Sequence, residues 1–208
     1  MKKSRLASAV AGAALALAGV TSQALEIGFA PQSQNPAVGV SASVDVVLSG
    51  LTALDQIVTG YNIDVNFSGS PTVQFLGGSY GTALGDPILD AFSLLPIAAA
   101  GGVIDLSQLS LLSDAELDAL QDDSVVLATL EFTAGVDITS LLSISFLPDD
   151  ISGIQGVGGQ QPFATALNPT AVNGQIIWGE GSQVPIPGTP LLLLAGMLAF
   201  AGVRRLTS

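Results

Sequence analysis

The chain contains no cysteine and no histidine, and only five of its 208 residues are basic. Without cysteine no disulfide can form, so the fold depends on packing alone. Hydrolases that use a histidine base are excluded, and so are the common zinc sites. A Gly-Lys-Ser/Thr loop for binding phosphate is also missing. These absences favour a protein that is not an enzyme.

Basic residues occur only at the two ends of the chain. Lys2, Lys3 and Arg5 precede the first apolar run, and Arg204 and Arg205 follow the last one. All 17 carboxylates lie between them. Cationic residues beside apolar runs stay on the cytoplasmic side of a membrane. We therefore interpret the ends as targeting segments and the middle of the chain as an exported body.

A secretory signal peptide is predicted over residues 1–24. Basic residues precede an apolar run at 6–20, and small residues at Ser22 and Ala24 favour cleavage after Ala24. An uncleaved anchor is the alternative, but the run is short for a membrane span. Cleavage removes three cations, so the formal charge falls from −12 to −15. Such a surface repels nucleic acid, which is not expected as a partner.

Apolar and polar residues alternate in several segments of the body, which is typical of half-buried β-strands. The two clearest segments are residues 38–48 and 61–68. Further strands are predicted at 25–29, 72–76, 103–106, 125–133, 142–147 and 172–178. The residues expected to face the core are Val38, Val40, Ala42, Val44, Val46 and Leu48 in the first, and Tyr61, Ile63, Val65 and Phe67 in the second.

Segments rich in Gly, Gln or Pro separate these strands and are predicted as turns and loops. A turn at residues 69–71 is expected to join 61–68 to its partner strand at 72–76. Residues 88–100 are apolar, and either a short strand or an irregular segment fits them. The predicted loops are 32–36, 77–87 and 151–162.

One short helix is predicted after Ser113. Ser113 and Glu116 have the spacing of a capping box. Ala115, Leu117 and Leu120 are expected to pack inward. Eight or nine strands with Gly-rich turns and one short helix predict an all-β sandwich.

The body, residues 25–179, resembles a cohesin-type module, which is a jelly-roll β-sandwich related to certain carbohydrate-binding modules. The likeness rests on an early strand that ends at Ser49-Gly50 and on the later segment 126–133, Val-Leu-Ala-Thr-Leu-Glu-Phe-Thr. Residues 172–178 would form the closing strand. The resemblance implies fold more strongly than function. Cohesins of cellulosomes hold dockerins, but no residue here carries that partner over.

The C-terminal segment, residues 180–208, has a Pro-rich motif, an apolar run and a basic end. A helix over 190–203 would be about 21 Å long at ~1.5 Å per residue. The hydrocarbon core of a membrane is about 30 Å thick, so the run suits temporary anchoring. The motif at 184–188 contains Val184, Pro185, Ile186 and Pro187, and the basic end is Arg204 and Arg205.

This segment resembles the PEP-CTERM sorting signal of bacterial exopolysaccharide-associated proteins. That signal has a Val-Pro-Glu-Pro type motif, a short membrane helix and a final basic cluster, and here Ile186 replaces the Glu. The resemblance implies processing by an exosortase, a membrane protease that releases or transfers its cargo. An ordinary C-terminal anchor is the alternative.

Calcium is the one metal that the carboxylates could hold. Asp64, Asn66 and Ser68 mimic the first half of an EF-hand loop, but Phe75 stands where that loop needs Glu. Paired acids in loops are more often solvated turns, and no cofactor is assigned. The pairs are Asp122-Asp123 and Asp149-Asp150.

Sugar binding is the main alternative function, with a glycoside hydrolase third. Sugar sites usually offer aromatic rings, and the body has only Tyr61, Tyr80 and Trp178 besides its Phe residues. Trp178 could stack on a sugar, although a lone Trp on a final strand more often belongs to the core. A hydrolase would need paired carboxylates, and among 17 acids some pairs lie close by chance.

We therefore predict a non-enzymatic exported bacterial protein whose sandwich is structural or adhesive. It is expected in the inner membrane with its body outside the cytoplasm, and after processing in the cell envelope or the extracellular matrix. The expected partners are the membrane, an exosortase-type protease, and an exopolysaccharide or another envelope protein.

Overall fold

The computed structural model describes residues 24–93, 96–155 and 165–179, and strands dominate all three segments. Nine of these strands have five or more residues, and one α-helix lies among them, which confirms the predicted all-β fold. The elements are β1 (Glu26–Ala30), β2 (Ser33–Gln34), β3 (Ala42–Ser49), β4 (Gln56–Phe67), β5 (Val73–Tyr80), β6 (Ala91–Ser93), β7 (Ala99–Ala100), β8 (Val103–Ser110), α1 (Asp114–Leu120), β9 (Ser124–Ala134), β10 (Ile138–Ser145), β11 (Ile151–Gln155), β12 (Thr165–Ala166), β13 (Thr170–Ala171) and β14 (Gly174–Trp178).

The strands form two sheets that pack face to face. Sheet A has the order β13-β1-β3-β9-β5. Sheet B has the order β12-β11-β4-β10-β14-β2, and β8 also belongs to it because it pairs with β4, β6 and β7. Phe67 of sheet B meets Phe132 of sheet A edge to face, with ring centroids 5.3 Å apart. The core therefore lies between the sheets, as in a β-sandwich.

The alternation predicted for residues 61–68 is confirmed, and it defines the two faces of sheet B. Tyr61, Ile63, Val65 and Phe67 are all buried. The polar residues between them point away from the core. Fully burying one such apolar side chain contributes about 1.5–3 kcal/mol to stability. The outer face of sheet B is therefore polar along β4.

The strand predicted at 38–48 is shorter in the structure. β3 begins at Ala42, and Val38 and Val40 are exposed, so their predicted burial is wrong. Gly39 has a φ of +78°, which interrupts the extended conformation between them. The other predicted core residues of this segment are buried, namely Ala42, Val44, Val46 and Leu48.

The hairpin predicted between residues 61–68 and 72–76 is wrong. β5 pairs with β9 of sheet A and not with β4 of sheet B. Gly69 turns the chain with a φ of +90°, and Val73 enters the core directly after the turn. The turn was predicted correctly, but the chain crosses there from one sheet to the other.

Three segments predicted as loops contain strands. Residues 32–36 include β2, residues 77–87 include the last part of β5, and residues 151–162 begin with β11. Segment 88–100, for which a short strand or an irregular segment was predicted, contains β6 and β7, which pair with β8. These strands are short or rich in Gly, so side-chain alternation does not reveal them.

The predicted helix and its capping box are confirmed. The backbone N–H and the hydroxyl of Ser113 donate to the Glu116 carboxylate at 2.9 and 2.6 Å. These hydrogen bonds from Ser113 lower the pKa of Glu116. Leu117 is buried as predicted, but Ala115 and Leu120 are exposed. A seven-residue helix at the surface turns only one side chain into the core.

Candidate functional site

Rows of residues cross sheet B where its strands pair, and one row is apolar. Phe92 of β6 lies opposite Leu109 of β8, and Leu109 lies opposite Gly60 of β4. Residues that oppose each other in an antiparallel pair share a face of the sheet. Phe92 and Leu109 are each more than half exposed. Two large apolar side chains therefore stand side by side in solvent.

Gly60 allows Leu109 to lie close against the sheet. A β-carbon at position 60 would come within 2.9 Å of Leu109 Cδ1 and 3.2 Å of the Gln108 carbonyl oxygen. Any side chain at this position would therefore push Leu109 outward. The smallest residue thus lies directly beneath the exposed leucine.

A tight turn before β6 carries two more apolar side chains. The carboxylate of Asp86 accepts hydrogen bonds from the backbone N–H of Ile88 at 2.8 Å and of Leu89 at 3.2 Å. The N–H of Asp90 donates to the Asp86 carbonyl at 2.9 Å. Side-chain bonds of this kind fix a turn. The hydrogen bonds of the turn therefore fix the backbone of Ile88 and Leu89, whose side chains are exposed.

These residues lie on neighbouring parts of the surface, which together we call the apolar patch. The backbone N–H of Leu111 donates to the Asp90 carbonyl at 2.8 Å, which joins the turn to the end of β8. The five members are between 51% and 89% exposed. Exposed apolar clusters of this kind commonly mark binding surfaces. The patch consists of Ile88, Leu89, Phe92, Leu109 and Leu111.

A second row, four residues along β8 from Leu109, is acidic. Asp64 of β4 lies opposite Asp105 of β8, and Ser145 of β10 lies on the other side of Asp64. Opposed residues have β-carbons about 4.5–5.5 Å apart, and like charges in such positions are destabilising. The sequence supplies no Lys, Arg or His between residues 6 and 203 to offset them. We call Asp64 and Asp105 the acidic pair.

A groove of about 380 Å³ lies beside the acidic pair. The Asn62 backbone N–H donates to the Asp150 carbonyl at 2.7 Å, and the Leu147 N–H donates to the Asp150 carboxylate. Asp150 therefore holds the β10–β11 loop together. The residues lining the groove are Asn62, Asp64, Ser145, Phe146, Leu147 and Asp150.

The residues considered as calcium ligands lie on a strand or take part in hydrogen bonds within the protein. Asp64 and Asn66 lie on a strand, and Asn66 donates to the Ser145 hydroxyl at 2.9 Å. The Asp123 carboxylate accepts from the Thr52 N–H at 3.1 Å. Within residues 24–93, 96–155 and 165–179, no three acidic side chains are grouped so that they could hold a metal ion. Asp123 therefore connects two distant segments of the chain, and Asp64 and Asn66 are strand residues.

Two of the three predicted glycan contacts are buried. Trp178 is 1% exposed, and its Nε1–H donates to the Val40 carbonyl at 3.0 Å. The Tyr61 ring is also buried between the sheets. Neither ring offers a face to a sugar, so the structure corrects the prediction for both. Tyr80 is partly buried, and its hydroxyl oxygen accepts from the Ser107 N–H at 3.4 Å.

Tyr61 is bound inside the sandwich by its hydroxyl group. The Tyr61 hydroxyl donates to the Leu127 carbonyl at 2.7 Å, across the gap between the sheets. Burial raises the pKa of Tyr61 well above its ordinary value, and nearby Tyr80 raises it further. The phenol therefore stays protonated in the folded protein under conditions that ionise it in the unfolded chain.

The raised pKa predicts a loss of stability at alkaline pH. Above about pH 10 the unfolded chain releases the Tyr61 proton and the folded chain keeps it, so the free energy of unfolding falls by about 1.4 kcal/mol per pH unit. Below pH 10 this contribution is constant. Urea unfolding between pH 8 and pH 11 measures the slope, which should flatten in Tyr61→Phe. An equal slope in the two proteins would contradict this assignment.

The sequence did not reveal the apolar patch. Ile88, Leu89 and Phe92 lie in segment 88–100, whose sequence fits either a short strand or an irregular segment. Leu109 lies beyond the end of the strand predicted at 103–106. Leu109 follows the buried Leu106 by three residues, so a longer alternating reading would have placed it on the outer face. The patch depends on pairing between β6 and β8, which sequence spacing does not give.

The predicted targeting segments fall mostly outside the described residues. Residues 1–23 of the signal peptide lie outside them, and so does the entire sorting segment with Val184, Pro185, Ile186, Pro187, Arg204 and Arg205. Ala24 is exposed, and Leu25 after it is buried. No helix in the described part of the chain is long and apolar enough to cross a membrane.

The fold is that of cohesin modules, as the sequence resemblance implied. The seventh ScaB type I cohesin from Pseudobacteroides cellulosolvens matches with a TM-score of 0.57 at 13% identity, over 77% of this chain and 95% of that one. A type I cohesin–dockerin complex from Clostridium thermocellum matches with a TM-score of 0.54 at 12% identity, over 76% of this chain and 100% of that one.

A third structure agrees with these two. The sixth cohesin of Acetivibrio cellulolyticus scaffoldin B, solved with a mutant Cel5 dockerin, matches with a TM-score of 0.52 at 14% identity, over 76% of this chain and 100% of that one. No protein-family model matches the chain, and no curated protein matches it in sequence. At such low identity the likeness establishes a cohesin-like β-sandwich and leaves function to the site.

Proposed function

We propose that the chain is a non-catalytic binding module that docks another protein on its apolar patch. The observation that carries the proposal is the exposure of the patch in a turn and strand pair fixed by hydrogen bonds. Burying apolar surface in a complex recovers about 25 cal/mol per Å². Two of the similar structures are cohesins bound to dockerins, which supports protein binding as the use of this fold.

The module is exported and sorted by its termini in this proposal. Cleavage after Ala24 would leave a body that starts at the buried Leu25, directly before β1. The segment at 180–208 would anchor the body in the inner membrane until an exosortase-type protease cuts or transfers it. The body, residues 25–179, would then work in the cell envelope or an exopolysaccharide matrix.

Mass spectrometry of the protein from its own cells tests the sorting route. The expected product begins at Leu25 and lacks Arg204 and Arg205. A product that keeps the C-terminal segment would favour the simple membrane anchor. An intact chain of 208 residues recovered from the cytosol would contradict export itself.

The double variant Phe92→Ser/Leu109→Ser tests the docking surface. We expect the full chain to select peptides from a random phage-displayed library, and we expect the variant to lose at least about tenfold of that binding, because the centre of an apolar interface carries most of its energy. Both residues are exposed, so the free energy of unfolding should change by less than about 1 kcal/mol.

The matched control removes two exposed leucines elsewhere. Leu76 of β5 and Leu141 of β10 are exposed and lie outside the apolar patch. The double variant Leu76→Ser/Leu141→Ser should bind the selected peptides like the original chain. Equal losses in the two double variants would show non-specific hydrophobic binding and would overturn the docking proposal. A glycan array with the same proteins separates this function from sugar binding.

A further inference from the structure

The charge of the module restricts what can cover the apolar patch. Sixteen of the 17 carboxylates lie within residues 24–179, since only Glu180 follows that range, and no basic residue lies there. None of these carboxylates can form an ion pair with a side chain of the same module. A second copy would carry sixteen more negative charges, and like-charge contacts between the copies are repulsive.

Acidic residues lie on two sides of the apolar patch. Asp86 and Asp90 belong to the turn that carries Ile88 and Leu89. The acidic pair lies on the same outer face as Leu109, about 13 Å away along β8 at ~3.3 Å per residue. The side chain of Tyr80 lies near enough to Asp105 to interact with its charge, and no cation of the module lies beside the pair. The surface therefore combines an apolar patch with carboxylates in its turn and with the acidic pair farther along β8.

We propose that the partner is a cationic protein segment, whose apolar side chains cover the patch while a lysine or arginine binds between Asp64 and Asp105. This proposal rests on the proposed function and names the chemistry of its partner. An opposed pair of aspartates lowers the stability of the free module, and a cation placed between them reverses that repulsion. Guanidinium suits the position because it can bond two carboxylates.

The distance between the two features sets the form of the segment. A separation of about 13 Å corresponds to about four residues of extended chain at ~3.3 Å each. An extended partner would therefore carry its basic residue about four positions from its apolar residues. An amphipathic helix would cover the same distance in about nine residues at ~1.5 Å each.

A peptide selection on the full chain tests the proposal. The probe is a phage-displayed library of random 16-residue peptides, counter-selected on Phe92→Ser/Leu109→Ser. We expect the recovered peptides to combine aromatic or aliphatic residues with Lys or Arg. Their binding should fall about tenfold in Asp64→Asn/Asp105→Asn and should weaken in 0.5 M NaCl.

The matched control neutralises two exposed carboxylates of sheet A. Glu26→Gln/Glu131→Gln removes the same charge from the opposite side of the sandwich, and it should change binding by less than about twofold. An equal loss of peptide binding in the two double variants would show that only the net charge of the module matters. That result would overturn the acidic pair as the binding site. If the peptides that depend on the apolar patch lack basic residues, the proposal of a cationic partner is wrong, while the proposed docking surface is unaffected.

Two further outcomes of the peptide selection would contradict an external cationic partner. If no peptide depends on the apolar patch, the proposed function fails and this inference fails with it. If patch-dependent peptides bind only after Arg204→Ser/Arg205→Ser, the basic end of the same chain occupies the surface, and an external cationic partner is refuted.

Discussion

Replacing Trp178 with alanine is expected to lower the free energy of unfolding by about 4 kcal/mol. Trp178 is the only tryptophan, it is fully buried in β14, and its indole N–H is bound to the Val40 carbonyl. Truncation leaves a large cavity and one unpaired carbonyl, and Trp→Ala changes in cores cost about 3–5 kcal/mol. Urea unfolding followed by far-UV circular dichroism measures the loss without relying on tryptophan fluorescence.

A surface leucine provides the comparison. Leu141 lies on β10 of the same sheet and is exposed, so Leu141→Ala should cost less than about 1 kcal/mol. Similar losses in both variants would mean that Trp178 is not in the core. The result also bears on sugar binding, because loss of glycan binding in Trp178→Ala would report unfolding rather than a removed contact.

Replacing Gly81 with alanine is expected to cost about 3 kcal/mol or more. A β-carbon there would lie 2.0 Å from the Val126 carbonyl oxygen, and the Gly81 N–H already donates to the Leu127 carbonyl at 2.8 Å. The clash is with backbone, which cannot move aside as a flexible side chain does. Relieving it must separate β9 from the end of β5, and overpacking of this kind costs 1–3 kcal/mol or more.

Gly135→Ala is the matched control for this prediction. A β-carbon at Gly135 would meet no atom within 4 Å. Its free energy of unfolding should therefore change by less than about 0.5 kcal/mol, or rise slightly because alanine restricts the unfolded chain. If Gly81→Ala and Gly135→Ala unfold at the same urea concentration, the close approach at Gly81 is not a constraint on the fold.

Local patterns predicted the parts of this fold that local interactions determine. The capping box at Ser113 and Glu116 is a contact between residues three apart, so their spacing was enough to predict it. The alternation in β4 was equally informative, since one face of that strand is buried and the other is not. The overall class of the protein followed from several such segments in sequence.

Contacts between distant residues were not predictable in this way. Nothing in the spacing of Gly69 and Val73 shows that β5 joins the sheet opposite to β4. The apolar patch depends on the pairing of Phe92 with Leu109, 17 positions apart, and the acidic pair on residues 64 and 105. The sequence allows Trp178 to be a glycan contact, because it does not show the Val40 carbonyl beside the indole.

The pairing of β10 with β14 has a consequence for orientation. Trp178 is the last residue of β14 and lies opposite Ile138 of β10. Ile138 is four residues from Leu142, the β10 residue that lies opposite Phe67 of β4. Gly60, which lies opposite Leu109 of the apolar patch, is seven residues before Phe67 on β4, so it lies about 36 Å from Trp178 along the strands at ~3.3 Å per residue. If the C-terminal segment tethers the module as proposed, the patch lies at the end of the sandwich farthest from the tether, where a partner can reach it.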